Sequence, residues 1–228
     1  MTFSLVARDP ASGQLGVGAV TAMVGVGKLV THARPRVGAV ATQAMINPYL
    51  AFDGLDHLAA GSSAQEALDA VIAADAGRDY RQCGIVDAHG GVAAWTGSET
   101  PDWSGHLLDT DVAAQGNRLV GPETLDAVVA AYRGRSDIEL AWRILAALEA
   151  GERTGADRKG AVSANVVVMD TEAYPLWDVR VDRADDPVAA LRDLMEEFAE
   201  QLLPQVRKLS TRQDQEGQLV REQGRSVG

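Results

Sequence analysis

A chain of 228 residues with 46% hydrophobic and 23% charged side chains has material for one full core, and no apolar run reaches the roughly 18 residues that span a bilayer. Its formal net charge of −11 disfavours phosphate-rich partners, both nucleic acid and anionic membrane surfaces. One cysteine, Cys83, excludes an intramolecular disulfide, and the lack of a basic-then-apolar leader makes the cytoplasm the expected compartment.

Residues 2–8 alternate, with Phe3, Leu5 and Ala7 on one side. Residues 14–20 alternate again, and DPASG between them has turn chemistry, so the pattern predicts a hairpin. Residues 36–43 are a third strand. Phe52, Leu55, Leu58 and Ala59 fit a helical period. Ser63 and Glu66 form a capping box ahead of a second apolar helical stripe.

RQCGIVD and VAAWTG are read as strands around a His-Gly-Gly turn. Residues 111–120 are another strand, interrupted at Gly116-Asn117. Gly121-Pro122 opens a helix with proline in its first turn. Ser136 to Glu139 is expected to cap the next helix, with Gly151 just past its end. Strands at 161–169 and 175–182 follow. A last helix starts at Asp186-Pro187 and should end or kink at Pro204.

Two helix pairs separated by strands do not fit βαβ winding. The order predicts an α+β fold, a four-layer αββα sandwich with two antiparallel sheets face to face and helices outside. The sandwich is expected to fill residues 1–204, with 205–228 as a polar tail or helix extension.

Thr2 stands directly behind Met1, at the start of the first strand. A threonine hydroxyl is a poor nucleophile until a base takes its proton. An N-terminal threonine carries that base itself, as its α-amine, with an ordinary pKa of about 7.7–8.0. The chemistry requires Met1 to leave, and a small second side chain permits its removal. A threonine at a strand start is also ordinary β-propensity, so the dipeptide alone is weak evidence.

The series TFSLVARDPASGQLGVGAV, VGAVATQAMINP, CGIVDAHGGVAAWTG, QGN and DRKGAVSANVVV resembles a bacterial and archaeal family of unassigned function, placed in the N-terminal nucleophile (Ntn) hydrolase superfamily. The resemblance spans about residues 2–200. More distantly, the chain is similar to proteasome β-type subunits. These resemblances imply the αββα fold, Thr2 as nucleophile and base, and cleavage of an amide C–N bond. Asp157 to Gly160 falls where those subunits place an Asp-x-x-Ser-Gly stretch, with Lys159 in the serine's place. Gly116-Asn117 falls at their Ser-Gly turn, and Thr42-Gln43 where a backbone N–H serves as oxyanion donor. Thr21 occupies the early acid position. The catalytic lysine has no clear counterpart among Lys28, Arg34 and Arg36.

The candidate site is therefore Thr2, Thr21, Arg34, Gln43, Asn117 and Asp157. Thr21 is either a partner of Thr2 across the hairpin or a plain cross-strand polar pair. Arg34 is either an electrostatic anchor or a solvated loop residue, and Lys28 is its rival. Gln43 points into the pocket or caps a turn. Asn117 is re-aimed by a bulge or is a turn asparagine. Asp157 orients the amine or forms a loop turn.

Cys83 lies mid-strand and reads as a buried thiol. The four histidines lack ligand spacing, so no metal is expected, and no cofactor. The four tryptophans read as core or edge aromatics, and GVGKLV lacks the P-loop pattern. The expected activity is hydrolysis of a small-molecule amide. The alternative is a non-catalytic module that binds a metabolite or partner. Alanine-rich helices at 64–76 and 140–150 suggest a homodimer or other homo-oligomer.

Overall fold

The computed structural model describes residues 1–156 and 160–225. Among these residues ten strands run in chain order as β1 (Thr2–Arg8), β2 (Leu15–Thr21), β3 (Thr31–Arg34), β4 (Gly38–Ala44), β5 (Arg81–Asp87), β6 (Val92–Thr96), β7 (Trp103–Asp109), β8 (Val112–Leu119), β9 (Ser163–Met169) and β10 (Trp177–Val181). The helices are α1 (Tyr49–Ala59), α2 (Ala64–Ala74), α3 (Glu123–Arg133), α4 (Leu140–Arg153), α5 (Pro187–Gln201), α6 (Leu203–Val206) and α7 (Gly217–Arg225).

The strands form two antiparallel sheets, ordered β10-β9-β2-β1-β8-β7 and β3-β4-β5-β6. Three apolar layers separate four layers of structure. Phe3, Leu5 and Ala7 of β1 pack outward on Leu125, Val128, Ile144 and Leu148 of α3 and α4. Val40, Cys83 and Ile85 pack outward from the smaller sheet on Leu55, Leu68 and Ile72 of α1 and α2. Val6, Val17, Ala39, Ala41, Val86, Ala113 and Val167 fill the space between the sheets. Period-2 alternation sends every other residue of each strand to opposite layers. The fold is an α+β, four-layer αββα sandwich.

Local signals set the helix starts. The Ser63 side chain accepts from Glu66 N, and the Glu66 carboxylate accepts from Ser63 N. Asp186 caps α5 through Ala189 N, with Pro187 in the first turn. Before α4 the pattern misleads. The helix begins at Leu140, its N-cap Glu139 makes no side-chain cap bond, and the Glu139 carboxylate instead meets Arg207 at 2.6 Å. Gly151 lies inside the last turns of α4, not past its end. A Cβ there would come within 2.8 Å of both Phe3 and Val128, so this glycine permits close packing of α4 on β1 and α3.

Two strands escape the sequence pattern. β3 has four residues and β7 mixes Ser104, Gly105 and His106 with apolar ones, and both are edge strands. After α5 the chain forms α6, with Pro204 in its first turn. It then forms α7, where Arg221 pairs with Asp214 and the Lys208 ammonium binds Glu222 at 2.8 and 2.9 Å. Of the alanines of α4, Ala141 and Ala147 are buried in the outer layer, and Ala146 and Ala150 are half-buried. No helix among the described residues is long and apolar enough to cross a membrane.

Candidate functional site

One end of the layer between the sheets is polar. On the inner face of the larger sheet, Asn117, Thr2, Thr21 and Ser163 lie side by side on β8, β1, β2 and β9. The next row is Gln115, Ser4, Ala19 and Asn165, and the row after it, Ala113, Val6, Val17 and Val167, is apolar. The smaller sheet answers with Gln43 and Gln82, paired across β4 and β5, and Thr96 beside Gln82 on β6. The hydrophobic layer closes the deep end, and the strand ends leave Thr2 half-buried.

Thr2 heads a central strand, so backbone ladders hold it from both sides. Its hydroxyl is 2.9 Å from the Thr21 hydroxyl. Thr21 donates its one proton to the Met1 carbonyl at 2.7 Å, so Thr2 is the donor in the pair. The Met1 carbonyl also accepts from Ala22 N at 3.3 Å.

Behind Thr2 the amides form a closed network. Gln43 Nε2 donates to Gln82 Oε1 at 2.7 Å, to the Gln115 carbonyl at 3.2 Å and to the Thr2 carbonyl at 3.4 Å. Gln43 Oε1 accepts from Ser4 Oγ at 2.7 Å, which in turn accepts from Gln115 Nε2 at 2.6 Å. Asn117 Nδ2 donates to Gln82 Oε1 at 3.1 Å. Buried polar groups need partners, and most of these find them in one another. Two acceptors, Gln115 Oε1 and Asn165 Oδ1, have none among the described residues.

The structure thus brings Thr2, Thr21, Gln43 and Asn117 together. The β7–β8 register slips just past Asn117, where Gly116 opposes Gly105 but Leu119 opposes Trp103, and Arg118 takes a positive φ of 56°. The extra residue gives β8 a local bulge there.

Arg34 is not brought to Thr2. It shares β3 with Thr31 and Ala33, which pair with the inward-facing Ala41 and Ala39, so alternation turns Arg34 outward. Its guanidinium donates to the Leu55 carbonyl and pairs with Asp56 at 2.9 Å, on α1. Lys28 is exposed on a short 3-10 turn. Asp157 lies outside the described residues.

Ser4, Gln82, Gln115, Ser163 and Asn165 belong to the same polar end and escape single-residue reading. Their signal is spacing. Gln115 and Asn117, like Ser163 and Asn165, are polar residues two apart within otherwise apolar strands, which puts both on one face.

No group of three or more potential ligands that could hold a metal occurs among the described residues. Cys83 is buried in the outer layer, and burial pushes its thiol up to about 12. His106 stands at the polar end, its Nδ1 2.9 Å from Thr96 Oγ1, and burial lowers its pKa. Two surface grooves, one along α2 and β6 and one along β10 and α5, are not lined by Thr2. What the site offers is a hydroxyl, neutral amide donors and no charged side chain hydrogen-bonded to Thr2 among the described residues.

A family model described as a family of unknown function, DUF1028, matches residues 2–191. The crystal structure of a protein from Silicibacter pomeroyi, described under the same family model, superposes with a TM-score of 0.87 at 32% identity, covering 95% of this chain and 98% of that one. The ancestral beta-subunit Anbu from Yersinia bercovieri aligns over 89% of this chain and 97% of its own, with a TM-score of 0.42 and 14% identity. Among curated proteins, none matches the sequence. The chain belongs to the DUF1028 family of unknown function.

Proposed function

We propose that the chain is an Ntn-type hydrolase that cleaves an amide C–N bond of a small molecule, with Thr2 as nucleophile once Met1 has been removed. The observation that carries this reading is the 2.9 Å bond between the hydroxyls of Thr2 and Thr21, at the open end of a polar layer. Sequence resemblance to the Ntn superfamily supports it.

In the processed chain the α-amine of Thr2 takes the Oγ1 proton as Oγ1 bonds to the substrate carbonyl carbon. Negative charge gathers on the carbonyl oxygen. In this reading the Asn117 amide, on the residue paired with Thr2 in β8, donates to it. The amine passes its proton to the leaving nitrogen, the C–N bond breaks, and an ester remains on Oγ1. Water, deprotonated by the same amine, adds to the ester carbonyl. The acid leaves, and the proton returns to Oγ1.

Thr21 holds Oγ1 in place throughout. With Met1 absent its hydroxyl proton is released from the Met1 carbonyl and is available to Thr2. Among the described residues the buried polar side chains around Thr2 are neutral, which favours a substrate uncharged beside the scissile bond.

The test uses protein whose intact mass shows the loss of Met1. A hydroxyl-directed β-lactone should add one acyl group, placed on Thr2 by peptide mapping. Thr2→Ala should keep its melting temperature and lose both the adduct and any turnover of a panel of small N-acyl amides. Turnover retained in Thr2→Ala ends the reading. Among the described residues no charged side chain is hydrogen-bonded to Thr2, and this favours the second reading, a non-catalytic module that binds a neutral metabolite. That reading is supported if Met1-free wild type binds such a ligand and never acylates.

A further inference from the structure

The same site contains an amide side chain bonded to both sheets. Gln82 is fully buried on β5, in the smaller sheet. Its Oε1 accepts from Gln43 Nε2 at 2.7 Å and from Asn117 Nδ2 at 3.1 Å. Its Nε2 faces three acceptors, the Gly116 carbonyl at 2.8 Å, the Gly105 carbonyl at 3.0 Å and Thr96 Oγ1 at 3.0 Å. An amide with acceptors around its nitrogen and donors around its oxygen has one allowed orientation. A flip would set its oxygen against the Gly116 and Gly105 carbonyls and its N–H groups against two donors.

That fixed orientation fixes two others. Asn117 must turn its nitrogen toward Gln82, so its amide cannot flip without leaving Gln82 Oε1 short of a donor. One Nδ2 proton is then spent on Gln82, and the second is the one left for a ligand beside Thr2. Gln43 is held the same way, and its Nε2 also reaches the Thr2 carbonyl at 3.4 Å. Gln82 therefore grips the residues on two sides of Thr2 from the opposite sheet.

We infer that Gln82 is the positioning residue of the site: it orients the Asn117 amide as oxyanion donor and, through Gln43, fixes the backbone of Thr2. This rests on the reading of Thr2 as nucleophile. Gln82 itself touches no reacting atom.

The experiment follows acylation of Met1-free protein by a β-lactone, read as the single adduct on Thr2 by intact mass over time and reagent concentration. Gln82→Met keeps the side-chain length and removes every amide bond. It should slow the maximal acylation rate by about tenfold or more, while the half-saturating reagent concentration moves less than about twofold. Asn117→Ala should slow the wild type similarly, yet add less than about twofold in the Gln82→Met background, since both changes remove one interaction. A Gln82 that merely ties the sheets together would lower the melting temperature without that non-additivity.

Thr96→Val removes one tether of Gln82 and keeps the shape of a half-buried β-branched side chain. It should give a smaller slowing, about two- to fivefold, and it decides the matter if Gln82→Met fails to fold. Wild-type rates in folded Gln82→Met, or in Thr96→Val where that variant decides, overturn the inference and leave the Thr2 reading standing. So do fully multiplicative effects of Gln82→Met and Asn117→Ala. If wild type and Thr2→Ala label alike, the Thr2 reading fails and the role of Gln82 falls with it.

Discussion

The hydroxyl of Thr21 lies between two groups of the first strand, 2.9 Å from Thr2 Oγ1 and 2.7 Å from the Met1 carbonyl. Cross-strand register places it there, since Thr2 and Thr21 are Cα partners in the β1–β2 hairpin. Thr21 is almost fully buried and bonds no charged group among the described residues, so its single proton decides which neighbour it serves. While Met1 is present, the proton goes to the carbonyl and Thr21 acts as acceptor for Thr2.

Thr21→Val tests this relationship. Valine keeps the shape and removes the hydroxyl. Thr2 and the Met1 carbonyl each lose one bond, so stability should fall by about 1–2 kcal/mol in urea unfolding of the Met1-bearing chain. In the Met1-free chain, acylation of Thr2 should slow by about tenfold or more, because its hydroxyl is no longer held. An unchanged acylation rate would reduce Thr21 to a structural pair.

Gly84 tests the packing behind the site. A Cβ at Gly84 would run into Gln115 Oε1, which is held in place by the Gln115 Nε2 bond to Ser4. Gly84→Ala forces either the amide or the sheets to shift. Overpacking of this kind costs about 1–3 kcal/mol. Strand propensity alone would favour alanine over glycine, but that gain is a fraction of the clash. Chemical denaturation should show a lower midpoint with an unchanged slope, and a rise in stability would show that Gln115 moves aside freely.

The segment after Gln43 has an acid-sensitive anchor. Burial opposes the charge of Asp75, but hydrogen bonds from Asn47, Gly77 and Arg81 outweigh it and hold the carboxyl below its usual range. Arg81 also donates to the Met45 carbonyl, two residues past Gln43. A carboxyl lowered on folding stabilises the folded chain above its unfolded value of about 3.9, and that contribution is lost as pH falls through the folded value. Stability measured from pH 6 to pH 2.5 should therefore fall less steeply in Asp75→Asn than in wild type. Parallel curves would show that Asp75 takes no part in the acid loss.

Much of the fold was legible because local chemistry is strong there. The alternation of residues 2–8 and 14–20 marks a hairpin, the Ser63–Glu66 box starts α2, and Asp186-Pro187 starts α5. Edge strands β3 and β7 were hidden because neither carries a clear alternation of apolar and polar residues. Gly151 was misread because a glycine near a helix end has two explanations, a left-handed cap or a close approach, and only the neighbouring Phe3 and Val128 distinguish them.

The sequence by itself determined the layer order, the place of Thr2 at a strand start and the family. These depend on residues near one another in the chain and on a few ordered motifs. The tertiary structure alone decided which polar residues meet. Gln82 and Asn117 are 35 positions apart, and Gln115 and Ser4 are 111 apart. Their contacts depend on how two sheets stack and on which face each strand turns inward. The same stacking sends Arg34 outward to α1, because a one-residue change of position along a strand moves a side chain to the opposite layer.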